Sequence, residues 1–349
     1  MTGSNQTGSK GDIDVPHVDI GMTTYKPSAR RLEYLRTAVE SILRQTFGDW
    51  RLLVSENGSE PGDGVARVLE PYLDDPRITH VPTRAELSGG ENSTRATAGT
   101  APYVTLLHDD DWWEPAFLER RVEFLDAHPD CGFVFGGTTV VDDTGEPLNR
   151  SRAALPEGAH PSAHYVSLLL RGEGIPMPPT ALIRRTAFDA IGGAFDHERP
   201  GWDFDLYLRL GARFPVGYLG VWDSAFRVHP QQYTYAVRWG DRRIEYEDRI
   251  DEILGEANLD VAPSDRRSRR AAAYMMAALD AAETGARRHT LSLVGRGIRM
   301  DRRAALDRRV PVVLVMAAFG PRLGPFVNRV RAKIRRRRYV RRQRDVSSD

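Results

Sequence analysis

Short apolar runs alternate with helical segments over the first 110 residues of this chain. The runs end in small polar or acidic residues, as buried strands do, and they cover Val18–Tyr25, Trp50–Val54, Ile78–Val81 and Tyr103–Leu107. Leucine, valine and isoleucine recur at helical spacing between the first two runs, from Arg31 to Gln45. This alternation predicts an α/β fold built on a doubly wound, mostly parallel sheet.

Polar side chains cluster where three of these strands end. The clusters are Thr23–Tyr25, Glu56–Ser59 and Asp109–Asp111. The carboxyl ends of parallel strands share one edge of a doubly wound sheet, and ligands bind beyond that edge. We therefore expect the three clusters to line one cleft.

The remainder of the chain divides at about residue 240. Before that point, further strands are predicted at Cys131–Val141, Thr180–Ile183 and Trp222–Val228, with a helix over Trp202–Phe214. After it, the pattern is helical throughout. We predict a disordered leader over residues 1–16, an α/β domain over 17–238, a helical extension over 239–309, and an apolar then basic amphipathic tail over 310–349.

Composition excludes several classes of protein. A hydrophobic content of 41% in 349 residues is that of a folded globular chain, not of a disordered one. The single cysteine, Cys131, excludes an internal disulfide framework and any multi-cysteine zinc or iron–sulfur site. The polar N-terminus is unlike a signal peptide. The longest apolar run, Val310–Phe319, is about half the ~20 residues that span a bilayer, so we expect a cytoplasmic protein.

Charge is distributed unevenly along the chain. Residues 1–265 carry 26 Lys and Arg against 42 Asp and Glu, whereas residues 266–349 carry 23 against six. The basic excess peaks at residues 329–344, which hold nine arginines, one lysine and no acid. A basic amphipathic segment beside an apolar stretch is typical of membrane-surface attachment, so we predict that residues 322–344 bind an anionic membrane at its inner face. One alternative is that this segment binds nucleic acid, which the acidic excess of residues 1–265 disfavours. The other is that it is a solvated tail without a partner.

Three adjacent carboxylates, Asp109, Asp110 and Asp111, follow a buried strand and precede two tryptophans. Carboxylates at such close quarters repel one another unless a cation neutralises them. Hard divalent ions such as Mg²⁺ and Mn²⁺ take oxygen ligands and often share them with substrate phosphates. The triplet therefore predicts a divalent metal site. The alternative from these residues alone is an acidic turn that caps the next helix.

Six segments of the chain occur in the order found in one enzyme family. They are IGMTTYK, SILRQTFGDWRLLVSENGS, YVTLLHDDDWWEP, RRTAFDAIGGAFD, GWDFDLYLRLGARF and FRVHP. Over about residues 17–235 the chain resembles inverting glycosyltransferase family two, whose members have the GT-A fold and use nucleotide-diphosphate sugars. The resemblance implies a hexosyltransferase-like enzyme that transfers a sugar to an acceptor hydroxyl with inversion, in cell-envelope, polysaccharide or glycolipid synthesis.

The resemblance also assigns metal and donor residues. The family's acidic motif falls on Asp109 and Asp110, which makes Asp110 a ligand of Mg²⁺ or Mn²⁺ and puts Asp109 against the donor. Many members have an aspartate where this chain has His108. His229 resembles the late histidine that completes the metal site in many members.

The nucleotide pocket of the family maps onto the ends of the first two strands. Its residues here are Thr23, Tyr25, Glu56 and Asn57, with a glutamate where members usually carry an aspartate. Pairing with the donor diphosphate is predicted for an arginine, Arg95 or Arg227, because guanidinium groups bind phosphates in bidentate geometry. A surface ion pair is the alternative role for either arginine.

Inverting transfer needs a carboxylate that deprotonates the acceptor hydroxyl as it attacks. Trp202-Asp203-Phe204-Asp205 matches the position of the family's base, and the resemblance assigns that role to Asp203. On a helix Asp205 points about 200° away from Asp203. From the residues alone, either aspartate is equally an N-terminal helix carboxylate that the helix dipole favours.

Two further functions remain open at this stage. One is a binding protein that has the same fold but does not catalyse a reaction. The other is a protein that binds nucleic acid through its basic tail. The expected partners of the enzyme are a nucleotide-diphosphate-sugar donor and a glycan, lipid-linked or small-molecule acceptor. The three aspartates Asp109, Asp110 and Asp203 together favour the enzyme.

Overall fold

A computed structural model describes residues 16–60, 64–193, 202–229, 231–232, 240–307 and 309–319. The predicted leader, apart from its last residue, and the basic segment 322–344 lie outside these ranges. Within them, the α/β class and a helical C-terminal region are confirmed.

The strands of the described residues form one mixed sheet of ten. In chain order they are β1 (Val18–Tyr25), β2 (Trp50–Asn57), β3 (Ile78–Thr83), β4 (Tyr103–His108), β5 (Trp112–Trp113), β6 (Phe133–Val141), β7 (Pro147–Ser151), β8 (Gly158–His160), β9 (Ala181–Arg184) and β10 (Val216–Arg227). The order across the sheet is β3-β2-β1-β4-β9-β6-β10-β5, with β7 beside β6 and β8 beside β10.

The two halves of the sheet differ in strand direction. Strands β1 to β4 pair in parallel, as the alternation of strands and helices predicts. In the second half, β9 runs antiparallel to both β4 and β6, and β5, β7 and β8 pair antiparallel with longer neighbours. Strands β5, β7 and β8 are absent from the sequence prediction because each has only two to five residues and no long apolar run.

Strand β10 begins six residues before the predicted Trp222. Gly217 and Gly220 interrupt the apolar pattern of its first half, which hides the strand in the sequence. Its pairing with β6 shifts register on both sides of Trp222. Such bulges bend a strand and re-aim its side chains, and this strand delivers Arg227 to the end of the sheet.

Eleven helices complete the described part. They are α1 (Ala29–Leu43), α2 (Gly64–Leu69), α3 (Gly89–Ala96), α4 (Phe117–Ala127), α5 (Ser162–Arg171), α6 (Arg185–Ala190), α7 (Trp202–Arg213), α8 (Arg242–Glu256), α9 (Pro263–Glu283), α10 (Arg287–Met300) and α11 (Val310–Phe319). Ser28 caps α1, and Ser88 with Glu91 forms a capping box at α3. Among these helices, none has the length and apolar content that a membrane crossing requires.

Three apolar clusters hold these layers together. One joins β1, β2 and β4 to α1, α2 and α4, and includes Trp50 and Trp113. A second joins β6 and β10 to α5, α7 and α8. The third lies within α9, α10 and α11. The C-terminal helices therefore have a core of their own and are not an appendage without packing.

Helix α3 packs closely against β1 because residue 21 is a glycine. A Cβ at Gly21 would lie 2.8 Å from the carbonyl oxygen of Ala96, at the end of α3. Real Cβ atoms do not approach an oxygen so closely, so only glycine permits this contact. The contact fixes α3 beside the ends of β1 and β2, where Arg95 of the same helix lies.

Candidate active site

The loop between β4 and β5 carries the three carboxylates at the carboxyl edge of the parallel strands, and each carboxylate has different partners. Asp109 is buried and accepts hydrogen bonds from Thr24 Oγ1 at 2.6 Å and from Arg31 Nη2 at 2.7 and 2.9 Å. Burial raises the pKa of Asp109, and the Arg31 guanidinium opposes that rise. Asp109 is thus neutralised by the protein itself.

Asp110 faces His229, which follows the end of β10. His229 Nε2 and Asp110 Oδ2 lie 2.9 Å apart, so the two predicted metal ligands are brought together. Burial disfavours ionisation of Asp110, but the hydrogen bond with His229 and the nearby positive charges outweigh it and lower the pKa. Asp110 therefore favours the ionised form that binds metal.

Asp111 is fully buried and incompletely satisfied. Its Oδ1 accepts a hydrogen bond from the Arg227 backbone N–H at 2.9 Å, while Oδ2 has no hydrogen-bond partner among the described residues. Burial, with the adjacent charge of Asp110, raises the pKa of Asp111 well above its usual range. A buried carboxylate oxygen without a donor is costly, and a bound cation would satisfy it.

One potential metal cluster emerges in the described part of the chain. Single ligand atoms of His108, Asp110 and Asp111 all lie within 4.8 Å of one another. Carboxylate oxygens together with one imidazole nitrogen are suitable ligands for Mn²⁺. The carboxylate oxygens of the same cluster are suitable ligands for Mg²⁺. The orphaned Asp111 oxygen supports the same fit. The cluster adds His108 and Asp111 to the predicted pair of Asp110 and His229.

Arg227 does not point into open space as a phosphate-binding residue would. Its Nε donates to the Asp110 carbonyl at 3.0 Å, and Nη1 donates to the carbonyls of Asp142 and Asp143. The guanidinium also stacks over the ring of Tyr34, 4.1 Å from its centroid. Arg227 thus fixes the acidic loop, and its predicted contact with a diphosphate stays a prediction.

Asp203 lies in the first turn of α7 and shares a neighbour with the metal cluster. Its Oδ1 accepts a hydrogen bond from the Phe204 backbone N–H at 2.9 Å. Burial raises the pKa of Asp203, and the electrostatic interaction with His108 opposes that rise. His108 also interacts with Asp110. Asp203 and the acidic loop therefore have His108 as a common neighbour.

Asp205 has a structural role instead. Its carboxylate accepts a hydrogen bond from Arg209 Nε at 2.5 Å and one from the Tyr246 hydroxyl at 3.3 Å. The bond from Tyr246 ties α7 to α8, and the bond from Arg209 lies within α7. The carboxylate of Asp205 is thus occupied by structural partners, whereas Asp203 accepts its hydrogen bond from the backbone of its own helix.

The predicted nucleotide residues surround the ends of β1 and β2. Glu56 is buried, and its Oε2 lies 2.7 Å from His80 Nε2 of β3. Arg95 Nη2 donates to the Pro82 carbonyl at 3.2 Å, and Nη1 makes long contacts with Ser55 and the Glu56 carbonyl. The sequence interpretation missed His80, because only the pairing of β2 with β3 brings it to Glu56.

The other three predicted nucleotide residues differ in exposure and partners. Thr23 is half-buried on β1, and Tyr25 is 44% exposed at its end. Asn57 exchanges two hydrogen bonds of 2.8 Å with the backbone of Leu87, so its amide fixes the loop before α3. Thr24, which lies between two predicted residues, is the one that contacts the acidic loop.

Comparison with known proteins identifies relatives for the α/β part. Residues 20–192 match the sequence model described as glycosyl transferase family 2. The provisionally named teichuronic acid biosynthesis glycosyltransferase TuaG of Bacillus subtilis is 29% identical over 126 residues, which are 36% of this chain and 49% of that protein. The provisionally named glycosyltransferase EpsE of the same organism is 28% identical over 197 residues, 53% of this chain and 64% of that protein. The chain thus spans between about half and just under two thirds of these relatives.

Solved structures show the same fold. S. aureus TarS 1–349 in complex with UDP-GlcNAc has a TM-score of 0.59 at 12% identity, with 81% of each chain covered. TarS 1–349 in complex with UDP has a TM-score of 0.56 at 12% identity, with 84% of this chain and 91% of that chain covered. The expected GT-A fold is confirmed by this likeness.

Proposed function

The chain belongs to glycosyl transferase family 2 through its residues 20–192, and from this premise we propose that it transfers a sugar from a nucleotide-diphosphate donor to an acceptor hydroxyl with inversion. The observation that carries the proposal is the arrangement around His108. This residue belongs to the cluster of possible metal ligands, and it also interacts electrostatically with Asp203. The arrangement supports a site for a divalent ion with, near it, a carboxylate whose pKa is raised.

The protein's own residues supply the base and the rigid frame. Asp203 accepts the proton of the acceptor hydroxyl while that oxygen forms a bond to the anomeric carbon, and the bond from that carbon to the diphosphate oxygen breaks. A pKa raised by burial suits this role, because a base is most effective when its pKa approaches the working pH. Arg31 and Arg227 hold the acidic loop in place.

The proposed metal site consists of His108, Asp110 and Asp111, with His229 hydrogen-bonded to Asp110. Mg²⁺ or Mn²⁺ bound there would supply positive charge for the departing diphosphate. Glu56, Arg95 and Thr23 are proposed to contact the nucleotide. Because TarS is solved with UDP and UDP-GlcNAc, UDP-sugars are the first donors to test. The acceptor is proposed to be a hydroxyl of a glycan, a lipid-linked sugar or a small molecule in cell-envelope polysaccharide synthesis.

Asp203→Asn separates catalysis from donor binding. We expect the variant to keep the Mn²⁺-dependent thermal shift with UDP, which for a ligand at 100 Kd corresponds to about 2.7 kcal/mol. Its rate of sugar transfer should fall by about 10²- to 10⁴-fold, the usual contribution of a general base. Asp143→Asn is the matched control, since Asp143 has an exposed side chain beside the same cleft and should leave binding and rate unchanged.

Two results would change the proposal. If Asp203→Asn keeps a tenth or more of the wild-type rate, the base is a different group. If the wild-type protein binds UDP with Mn²⁺ but turns over none of a panel of UDP-sugars, the result would favour a non-catalytic protein that binds nucleotide sugars.

We further propose that residues 322–344 attach the protein to the inner face of the cell membrane. The support is their charge, since eleven arginines and lysines with no acid occur in this stretch. Each basic residue near an anionic leaflet contributes on the order of 1 kcal/mol. This attachment would bring the cleft to lipid-linked acceptors.

A further inference from the structure

Helix α11 is apolar on every side, although it packs on only one. Its ten residues, Val310–Phe319, include no charged or hydrogen-bonding side chain. Val310, Val313 and Met316 are buried in the third apolar cluster, against α9 and α10. A helix on the surface of a globular protein normally presents polar residues to solvent on its other face. This helix does not.

The exposed residues of α11 form one continuous stripe. Pro311, Leu314, Val315 and Ala318 are exposed, and at 100° per residue they fall within a sector of about 100°. Leu314 is 42% exposed and Val315 43%. Leu306, in the turn before the helix, is 87% exposed. An exposed apolar stripe of this kind marks a contact surface.

Exposed arginines surround this stripe in the chain. Residues 284–319 contain eight arginines and two aspartates. The exposed ones are Arg287, Arg288, Arg296, Arg299, Arg302 and Arg303. Both aspartates are engaged locally, Asp301 with the Arg303 backbone N–H and Ser268, and Asp307 with the Arg309 guanidinium. The stretch of chain that includes α10 and α11 is therefore basic within the described residues, independently of residues 322–344.

We infer that the exposed face of α11, together with Leu306, is a shallow insertion surface for an anionic lipid bilayer, with Arg302 and Arg303 at the level of the headgroups. Apolar side chains flanked by basic residues are what such a surface requires. The helix is about 15 Å long, half the thickness of the hydrocarbon core, which fits a helix lying in the interface. The inference deepens the membrane attachment proposed above, which located the contact only in the charge of residues 322–344.

A second copy of the chain is a weaker candidate for covering this face. In a two-fold symmetric dimer the same patch of each subunit meets its counterpart. Such a dimer would bring together two sets of exposed arginines and two C-terminal segments that begin directly after α11 and carry eleven basic residues each. Like charges at that density repel, whereas an anionic bilayer attracts them.

The test is cosedimentation of the full chain with vesicles of phosphatidylcholine containing 30% phosphatidylglycerol, compared with pure phosphatidylcholine. The variant is Leu314→Gln with Val315→Gln, which removes apolar character without changing charge. Leu73→Gln is the matched control, because Leu73 is also 42% exposed but lies far along the chain, after α2. We expect wild type and control to bind the anionic vesicles equally, and the double variant to bind about tenfold more weakly.

Salt separates the apolar contribution from the ionic one. Raising the salt concentration should weaken binding of wild type and double variant by the same factor, because screening acts on the arginines that both retain. The tenfold difference should therefore persist. The UDP-dependent thermal shift should be identical in wild type and the double variant. A loss of vesicle binding with that shift intact therefore concerns the membrane surface alone.

Three results would overturn the inference. The first is a double variant that binds anionic vesicles as tightly as wild type does. The second is a wild-type dimer in light scattering that becomes a monomer in the double variant without a change in vesicle binding, which assigns the stripe to a second copy. The third is binding to a nucleic-acid duplex that competes with the vesicles and is weakened equally by the double variant.

Discussion

Asp111→Asn is expected to stabilise the protein while removing its metal response. Asp111 is buried, one of its oxygens accepts a hydrogen bond from the Arg227 N–H at 2.9 Å, and the other has no hydrogen-bond partner among the described residues. Asparagine has nearly the same shape and keeps the accepting oxygen, but it carries no charge. The substitution thus relieves a buried carboxylate and loses a proposed metal ligand at once.

The magnitude follows from the cost of the buried charge. Leaving a buried polar group without a partner costs about 1–3 kcal/mol and more when the group is charged; asparagine removes the charge but still lacks that partner, so the apo protein should gain about 1–2 kcal/mol. The unfolding entropy is about 2.1 cal/mol/K per residue, so in a chain of 349 residues 1 kcal/mol changes Tm by about 1–2 °C, which predicts a rise of roughly 1–4 °C.

The gain should depend on pH with a defined sign. The folded-state pKa of Asp111 is raised well above 3.8, so the folded protein binds a proton that the unfolded chain releases. Wild-type stability is therefore lost as pH rises from about 4 through the folded-state pKa. The difference in Tm between the variant and wild type should be near zero at pH 4 and grow as pH rises.

Differential scanning fluorimetry in EDTA and in Mn²⁺, over a series of pH values, measures both effects. Wild type should gain Tm on addition of Mn²⁺ with UDP, and the variant should gain little. A variant that melts lower than wild type in EDTA at pH 7 would refute the reasoning, because it would show that the Asp111 charge is compensated in the apo fold.

Three further predictions follow from individual contacts. Arg31→Met leaves the buried Asp109 without its ion-pair partner and should cost about 3–5 kcal/mol in urea unfolding at pH 7, with a smaller loss at pH 4. Gly21→Ala places a Cβ 2.8 Å from the Ala96 carbonyl oxygen and should cost about 1–3 kcal/mol, whereas Gly48→Ala, with nothing within 4 Å, should be close to neutral. Because the pKa of Asp203 is raised, the acidic limb of kcat/KM against pH should lie above pH 4, and a limb at or below 4 would contradict the role of Asp203 as base.

The parallel half of the sheet is predictable because each of its strands is a contiguous apolar run followed by a polar cluster. The mixed half is not, since β5 has two residues and the first half of β10 is broken by Gly217 and Gly220. Strand β10 depends on its parallel pairing with β6, about 80 residues earlier in the chain, and β5 depends on its antiparallel pairing with β10. Local periodicity carries no information on such contacts.

In the candidate site, too, some residues are predictable from the sequence and others are not. Asp109 to Asp111 are visible because they are adjacent, and Asp203 and His229 through the family resemblance. Arg31 and His80 are not visible. Arg31 reads as one of several helix arginines, and only the packing of α1 against the acidic loop pairs it with Asp109, 78 positions away. Residues that hold catalytic groups in place are found from contacts, since their own sequence neighbourhoods are ordinary.

The partners of the acidic loop also explain why donor binding should require a cation. Three carboxylates face two arginines, Arg31 and Arg227, so the loop carries a net negative charge whenever all three aspartates are ionised. A donor diphosphate is itself anionic and would enter a cleft that repels it. Adding two positive charges reverses the sign of the cleft. UDP alone should therefore give almost no thermal shift, and UDP with Mn²⁺ a large one. An equal shift with and without Mn²⁺ would show that Arg95 and its neighbours suffice to hold the diphosphate.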